Sequence, residues 1–231
     1  MRSLFTLSFI IICHTISAQD WTVIADNMHF EAEMGKEPVS AMDVYEKIAG
    51  TPFMNPEFVN GSLITTDSLK YTGIPLRYNV FKDEMEFRIG DEKTPRVIAN
   101  PRSFLFINLD DHIFQYLAFS DNNRPAHGYF QVLNDGTCQV MMRRRTDYAE
   151  PKGAHNFEKA LPARFEEKRN SYYIRFGRQL PKEVRLNRRN ILGMFGQHQE
   201  EITGFVKDNS LSYRSIDDLI KIATYYNQLV E

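Results

Sequence analysis

Cysteine and tryptophan are scarce in this chain: 231 residues hold two cysteines, Cys13 and Cys138, and one tryptophan, Trp21. Removal of an N-terminal leader containing Cys13 leaves a single thiol and no intramolecular disulfide, so stability has to come from a hydrophobic core. Long apolar runs are missing as well. The best of them, Leu4 to Ile12, is broken by Thr6 and Ser8 and falls well short of the roughly 20 residues a transmembrane helix needs. Charge of one sign does not dominate, because the formal net charge is −2, and the chain as a whole carries no polyanion-binding signal. No G-x-S-x-G, H-E-x-x-H, phosphate-loop or C-x-x-C string occurs, so the familiar local signatures of catalysis give no lead.

The N-terminus carries more information. Arg2 precedes the apolar stretch, and Ile16-Ser17-Ala18 closes it with small residues before Gln19. That order is the pattern of a secretory signal peptide cut after Ala18, and it predicts an exported, periplasmic or secreted protein without a transmembrane segment. Cys13 follows Ile10-Ile11-Ile12 rather than the small residues that lipoprotein processing requires, so a lipid anchor is not expected. The remaining chain of about 210 residues, in a sequence 42% hydrophobic and 13% aromatic, is long enough to bury a sizeable core unaided.

Periodicity then divides the chain. Residues 19–39 read as an N-terminal arm. Ser40 to Asp43 form a short capping box, followed by a helix from about Ala41 to Ala49 that Gly50 ends. From Gly61 the period becomes two. Leu76, Tyr78 and Val80 fold about Lys82-Asp83 onto Met85, Phe87 and Ile89, with Val80 opposite Met85. Phe104–Leu109 and Ile113–Phe119 turn at Asp110-Asp111 and are apolar on both faces, which predicts central strands covered on both sides. Tyr129–Leu133 meets Cys138–Met142 through Asp135-Gly136, and Phe165–Lys168 is expected to meet Tyr172–Phe176 near Arg169-Asn170. After Arg185 a helical period returns, with Gly193 and Gly196 weakening its middle, so one broken helix or two short ones fit equally well. Ser215 and Asp218 then cap a final helix whose stripe is Ile216, Leu219, Ile220, Ala223, Tyr226 and Val230.

These elements predict a mainly β fold: an antiparallel meander forming a sandwich or partly open barrel, with one N-terminal helix and a C-terminal helical pair. The divisions are a signal peptide over 1–18, the arm over 19–39, a β-rich domain with its leading helix over 40–186, and a helical segment over 187–231 packed on the same core.

Gly50 to Asn55, Leu76 to Phe87, Asp218-Leu219-Ile220 and Tyr225-Tyr226-Asn227 together resemble segments of uncharacterised exported proteins of Bacteroidota-type gram-negative bacteria. The resemblance spans nearly all of the mature chain and its motifs are structural. It implies a cell-envelope or secreted address and supplies no catalytic residue and no cofactor.

Candidate chemistry is scattered. His29, Glu31 and Glu33 would share one side of a strand, but a flat edge rarely converges on one ion, and a solvated face is the better reading. Asp110-Asp111-His112 sits where a tight turn is needed. His127, His155 and His198 lack acidic neighbours at catalytic spacing. Cys138 shares a face with Val140 and Met142 and reads as a buried, inert thiol. Glu84 and Glu86 lie about 7 Å apart on one strand face, a spacing open to a glycosidase pair, yet Arg77 and Arg88 explain them better as ion-pair partners. Gly193-Met194-Phe195-Gly196 matches a bare GXXG loop, whose apolar middle does not suit RNA. Asn60-Gly61-Ser62 reads as a turn ahead of a strand.

One regional feature remains. Arg143 to Arg189 contains fourteen Lys or Arg against six Asp or Glu, an excess of eight positive charges. Arg143, Arg144 and Arg145 are the candidate ligand-binding residues, provided the strand carrying them ends or bulges there, because successive strand residues otherwise face opposite ways. The expected activity is non-catalytic binding of an anionic envelope component: a lipid headgroup, an acidic glycan or an acidic protein. No metal, cofactor or nucleic acid is expected. Two alternatives stay open, a β-rich carrier of an apolar ligand suggested by the aromatic strands Phe104 to Phe119, and a hydrolase with a site in the loop Pro151 to Pro162 or near Asp110 and His112.

Overall fold

Apolar side chains alternating with period two make strands the commonest element after Val59, and the described residues are mainly β, with 42% strand and 22% helix. The computed structural model describes Tyr45 and residues 48–90, 94–153 and 160–230. The expected signal peptide and arm, and all of the expected leading helix except Tyr45, Ile48 and Ala49, lie outside the described residues.

Ten strands form one antiparallel sheet. They are β1 (Val59–Thr65), β2 (Lys70–Asn79), β3 (Glu84–Phe87), β4 (Arg96–Val97), β5 (Phe104–Leu109), β6 (His112–Asp121), β7 (Arg124–Val132), β8 (Cys138–Arg143), β11 (Ser171–Phe176) and β12 (Lys182–Glu183), in the spatial order β12-β11-β8-β7-β6-β5-β1-β2-β3-β4. Between β8 and β11 the chain makes a separate two-stranded piece, β9 (Thr146–Ala149) with β10 (Arg164–Glu167). Three helices follow: α1 (Arg188–Met194), α2 (Gln199–Asp208) and α3 (Ile216–Val230).

The sheet is strongly curled. Tyr78 on β2 and Tyr129 on β7 have three strands between them, which in a flat sheet puts their backbones roughly 19 Å apart at about 4.8 Å per strand. Their ring centroids are 5.6 Å apart, and Tyr78 also meets Phe114 of β6 at 5.3 Å. Six of the ten strands are therefore wrapped around a common interior filled by Leu63, Ile74, Leu76, Tyr78, Met85, Phe87, Ile107, Leu109, Phe114 and Tyr129, all at 2% exposure or less. The strand ladder does not close, so of the two architectures the sequence allows, the partly open barrel is the one realised, and the β9–β10 piece is too small to be the second layer of a sandwich.

Beyond the barrel the same face of β8 and β11 presents Cys138, Val140 and Ile174 to the helices, where they pack with Ile191, Ile202, Leu219, Ile222 and Ala223. The opposite face carries Phe119, Phe130, Met141 and Tyr173. The C-terminal helices thus cover a second cluster, next to the barrel interior.

Four local expectations change. In the β2–β3 hairpin, Tyr78 faces Met85 and Leu76 faces Phe87, a register two residues away from the expected one. The Pro52 carbonyl takes the Val80 and Phe81 N–H groups at 2.8 and 3.2 Å, which removes them from the ladder and widens the turn, and a slip of two keeps every inward residue inward. The expected hairpin of Phe165–Lys168 with Tyr172–Phe176 does not form. β11 pairs with β8, Ile174 opposite Val140, and β10 pairs with β9, because Ile174 buries against Val140 and the helices while Phe165 turns to Tyr45, Phe81 and Tyr148. β5 and β6 are central but not covered on both sides, since Leu105 is 41% and Ile113 39% exposed. Asn60-Gly61-Ser62 lies within β1 at a bulge, where a Cβ on Gly61 would stand 2.3 Å from the Asn108 carbonyl.

The ambiguity after Arg185 is settled as a break. Asn187 caps α1 by accepting from the Asn190 N–H at 3.0 Å, and Gly196, at φ +56°, turns the chain into α2 through a left-handed conformation that favours glycine. Ser215 caps α3, accepting from the Asp218 N–H at 3.3 Å, while Asp218 accepts from the Ser212 N–H at 2.9 Å.

Candidate binding cleft

β8 ends at Arg143, paired with Ser171 of β11. The ribbon resumes with the Lys168 N–H donating to the Arg145 carbonyl at 2.9 Å. Arg144 and Arg145 fall in the interruption, outside any strand, which is the condition under which three successive residues can share one surface. They do: Arg143, Arg144 and Arg145 all line a cleft of about 440 Å³ at the end of the β8–β11 ladder.

The three are not equivalent. Arg143 is committed to the fold. Its Nη2 lies 2.8 Å from Asp83 Oδ2, and its guanidinium sits 4.3 Å from the centre of the Phe119 ring. Arg144 donates from Nη2 to Gln131 Oε1 at 3.2 Å, and Gln131 Nε2 in turn meets His112 Nδ1 at 3.0 Å. Arg145 has an exposed side chain. The Nε groups of Arg143 and Arg144 have no hydrogen-bond partner, and buried guanidinium N–H groups left without an acceptor are costly.

The acids of the cleft were not foreseen from the sequence. Asp83, Asp121, Asp147 and Glu183 line the same cleft, together with Thr146, Ser171 and Tyr173. Asp83 comes from the β2–β3 turn at φ +56°, and Asp121 precedes the turn of the β6–β7 hairpin, whose Asn122 and Asn123 both have positive φ. The Asn-Asn pair was a readable hairpin signal. The meeting of these acids with the arginines was not readable, since it depends on the curl of the sheet.

The remaining candidates are dispersed. Glu86 is 1% exposed and saturated: Arg77 Nε and Nη2 donate to its Oε2 at 3.1 and 2.6 Å, and Asn79 Nδ2 donates to Oε1 at 3.3 Å. Arg77 also lies under the rings of Phe53 and Phe58, so no sugar reaches this carboxylate. Burial raises the Glu84 carboxyl against the opposing pull of Lys82. Asp110 holds the β5–β6 turn at φ +55°. His127 meets Arg102 Nη2 at 3.0 Å and stacks on Tyr116. Cys138 is fully buried, and burial pushes its thiol up to about 12, which makes it a poor nucleophile. His29, Glu31, Glu33 and His155 lie outside the described residues. Among the described residues no group of three or more His, Cys, Asp or Glu side chains gathers as a metal site.

Comparison of the chain with family models, with curated proteins and with solved structures gives no match. The chemistry of the cleft therefore rests on its own residues.

Proposed function

We propose that this is an exported protein of the cell envelope or its surroundings that binds a ligand without transforming it, and that the arginine cleft is the contact. The observation that carries the reading is the convergence of Arg143, Arg144 and Arg145 on one cleft, two of them with unpartnered Nε groups. The signal-like N-terminus, Arg2 through Ala18, is what supports the address. Among the described residues no helix is long and apolar enough to cross a membrane.

The acids of the cleft narrow the ligand. Asp121, Asp147 and Glu183 would repel an extended polyanion, whereas a compact group such as a phosphate or a single carboxylate can seat at Arg144 and Arg145 alone. A lipid headgroup or the terminal acid of a glycan meets that description better than a long acidic polymer. The carrier alternative has less support, because the barrel interior is occupied by tightly packed side chains.

The test is a titration of the protein beginning at Gln19 with phosphatidylglycerol vesicles, with glucuronic acid and with inorganic phosphate at low ionic strength. Exposed charges are screened over about 8 Å at physiological salt, so binding should weaken as salt is added. Arg144→Gln with Arg145→Gln should abolish it while the protein stays folded, with a small drop in melting temperature from the lost Arg144–Gln131 hydrogen bond. Arg143 is left intact because its exchange breaks the ion pair with Asp83. If none of the three probes binds at low salt, or if the double variant binds as well as the parent, the reading fails.

A further inference from the structure

A second cavity, of about 460 Å³, opens at the far end of β11, between Phe176 and the break separating α1 from α2. That volume is inside the range of about 300–1,000 Å³ typical of small-molecule sites. β12 separates it from the arginine cleft: neighbouring strand residues point to opposite faces, and Lys182 lines this cavity while Glu183 lines the other.

We propose that this cavity is a site for a neutral sugar, with a pyranose ring laid against Tyr226 and its hydroxyls met by Gln179, Gln197 and His198. Three observations converge on it. The first is an aromatic wall: Tyr226 meets Phe195 at 5.2 Å, Phe176 at 5.4 Å and His198 at 5.5 Å between ring centroids. Phe195 is buried behind it, while Tyr226 and Phe176 are only partly covered and offer ring surface to the C–H face of a sugar.

The second is the polar lining. Two glutamine amides and an imidazole each combine donor and acceptor capacity, which matches hydroxyl groups that also do both. The lining includes no carboxylate to attract a cation, and Lys182 is its one Lys or Arg side chain, too little for a nucleic-acid backbone. The contact between Gln197 Nε2 and His198 Nε2 is long, at 3.4 Å, so a ligand hydroxyl can displace it at little cost.

The third is Gly193. Glycine is among the least favourable residues inside a helix, and Gly193 stands in α1 without a positive φ. A Cβ there would meet nothing within 4 Å, so no packing contact demands its absence. Gly193 lines the cavity, and a side chain at that position would take up part of its space. The Gly193–Gly196 pair, discounted above as an RNA loop, thus has a role of a different kind: Gly196 makes the turn and Gly193 keeps the site open.

Saturation-transfer NMR on the protein beginning at Gln19, with maltotriose, cellotriose, laminaritriose and chitotriose as probes, tests this. At least one should receive saturation, strongest at ring protons of one residue. Gly193→Leu and Tyr226→Ala should each weaken its affinity tenfold or more, while Arg144→Gln with Arg145→Gln leaves it unchanged, which separates this site from the arginine cleft. Gly193→Ala should melt higher than the parent yet bind more weakly, a combination that a purely structural glycine does not produce. Absence of transfer to all four trisaccharides from folded protein overturns the proposal, and so does binding that survives both Gly193→Leu and Tyr226→Ala.

Discussion

Asp83 and Arg143 stand sixty residues apart in the chain and meet at 2.8 Å across the open seam of the barrel. Asp83 also accepts the Tyr129 N–H at 3.3 Å and the Tyr78 hydroxyl at 2.6 Å. β7 and β8 pair at Gln131–Met142 and Val132–Met141, with the Leu133 N–H donating to the Val140 carbonyl at 2.9 Å, and no pairing continues beyond Gln131 toward Tyr129, so the Tyr129 N–H points into a gap that β8 has left. The carboxylate of a hairpin turn fills that gap. Side-chain hydrogen bonds thus hold shut what the backbone ladder leaves open.

Removing this clasp should be costly. Asp83→Ala leaves three donors without an acceptor, and a loss of about 2–4 kcal/mol is expected, at about 1–3 kcal/mol for each group left buried and unsatisfied and less where water enters. Asp83→Asn keeps one acceptor oxygen and tolerates the positive φ, so it should lose less. Gly128→Ala should resemble Asp83→Ala, because a Cβ at Gly128 would lie 2.4 Å from Asp83 Oδ2 and 2.6 Å from Arg143 Nη2. Urea titrations of the three variants check the ranking.

Asn227 of α3 plays the same part for the helices. Its Oδ1 accepts the Cys138 N–H at 2.6 Å, and its Nδ2 donates to the carbonyls of Asp135 and Cys138 at 2.9 and 3.1 Å. Asn227→Ala should cost about 2–4 kcal/mol through the buried backbone groups it abandons, and Leu219→Ala, at a fully buried position, about 2–5 kcal/mol. An unchanged melting curve for both would mean that α3 is not docked.

The Arg77–Glu86 pair is buried at 5% and 2% side-chain exposure. Breaking it on one side strands a charge, so Glu86→Leu should destabilise by about 3–5 kcal/mol, while Arg77→Met with Glu86→Leu should cost much less than the two singles together. A double-mutant cycle in denaturant measures this directly.

Alkaline pH should weaken the fold through Cys138. Its folded pKa of about 12 lies above the ordinary value of 9.0 because of burial, so the folded state holds the proton more tightly than the unfolded chain does. That contribution is complete below about pH 9 and is lost as pH rises toward 12, at about 1.4 kcal/mol per pH unit. Tyr78 and Tyr129 are likewise raised, mainly by burial, and act in the same direction. Cys138→Ala should lose less stability between pH 9 and 12 than the parent, as read from urea midpoints. The native thiol should also resist a thiol reagent that labels it once the chain is unfolded.

Local chemistry was enough to name most of the elements, though not β1, β4, β9 or β12. Alternation at Leu76–Tyr78 and Met85–Phe87, the Asp135-Gly136 turn, the Ser215 cap and the stripe through Leu219 and Ala223 are properties of neighbouring residues, and the mainly β class with C-terminal helices follows from them. Pairing was another matter. Phe165–Lys168 looks like a partner for Tyr172–Phe176 along the chain, but β8 offers Ile174 a better apolar neighbour in Val140, and long-range burial outweighs short loop closure. The register of β2 on β3 was decided by the Pro52 carbonyl, and the charge of the cleft by a curl that carries Asp83 to Arg143. Sequence determined which residues are apolar, charged and turn-forming, because those are intrinsic. Only the tertiary structure decided which of them meet, because a twisted sheet brings together strands that the chain order keeps apart.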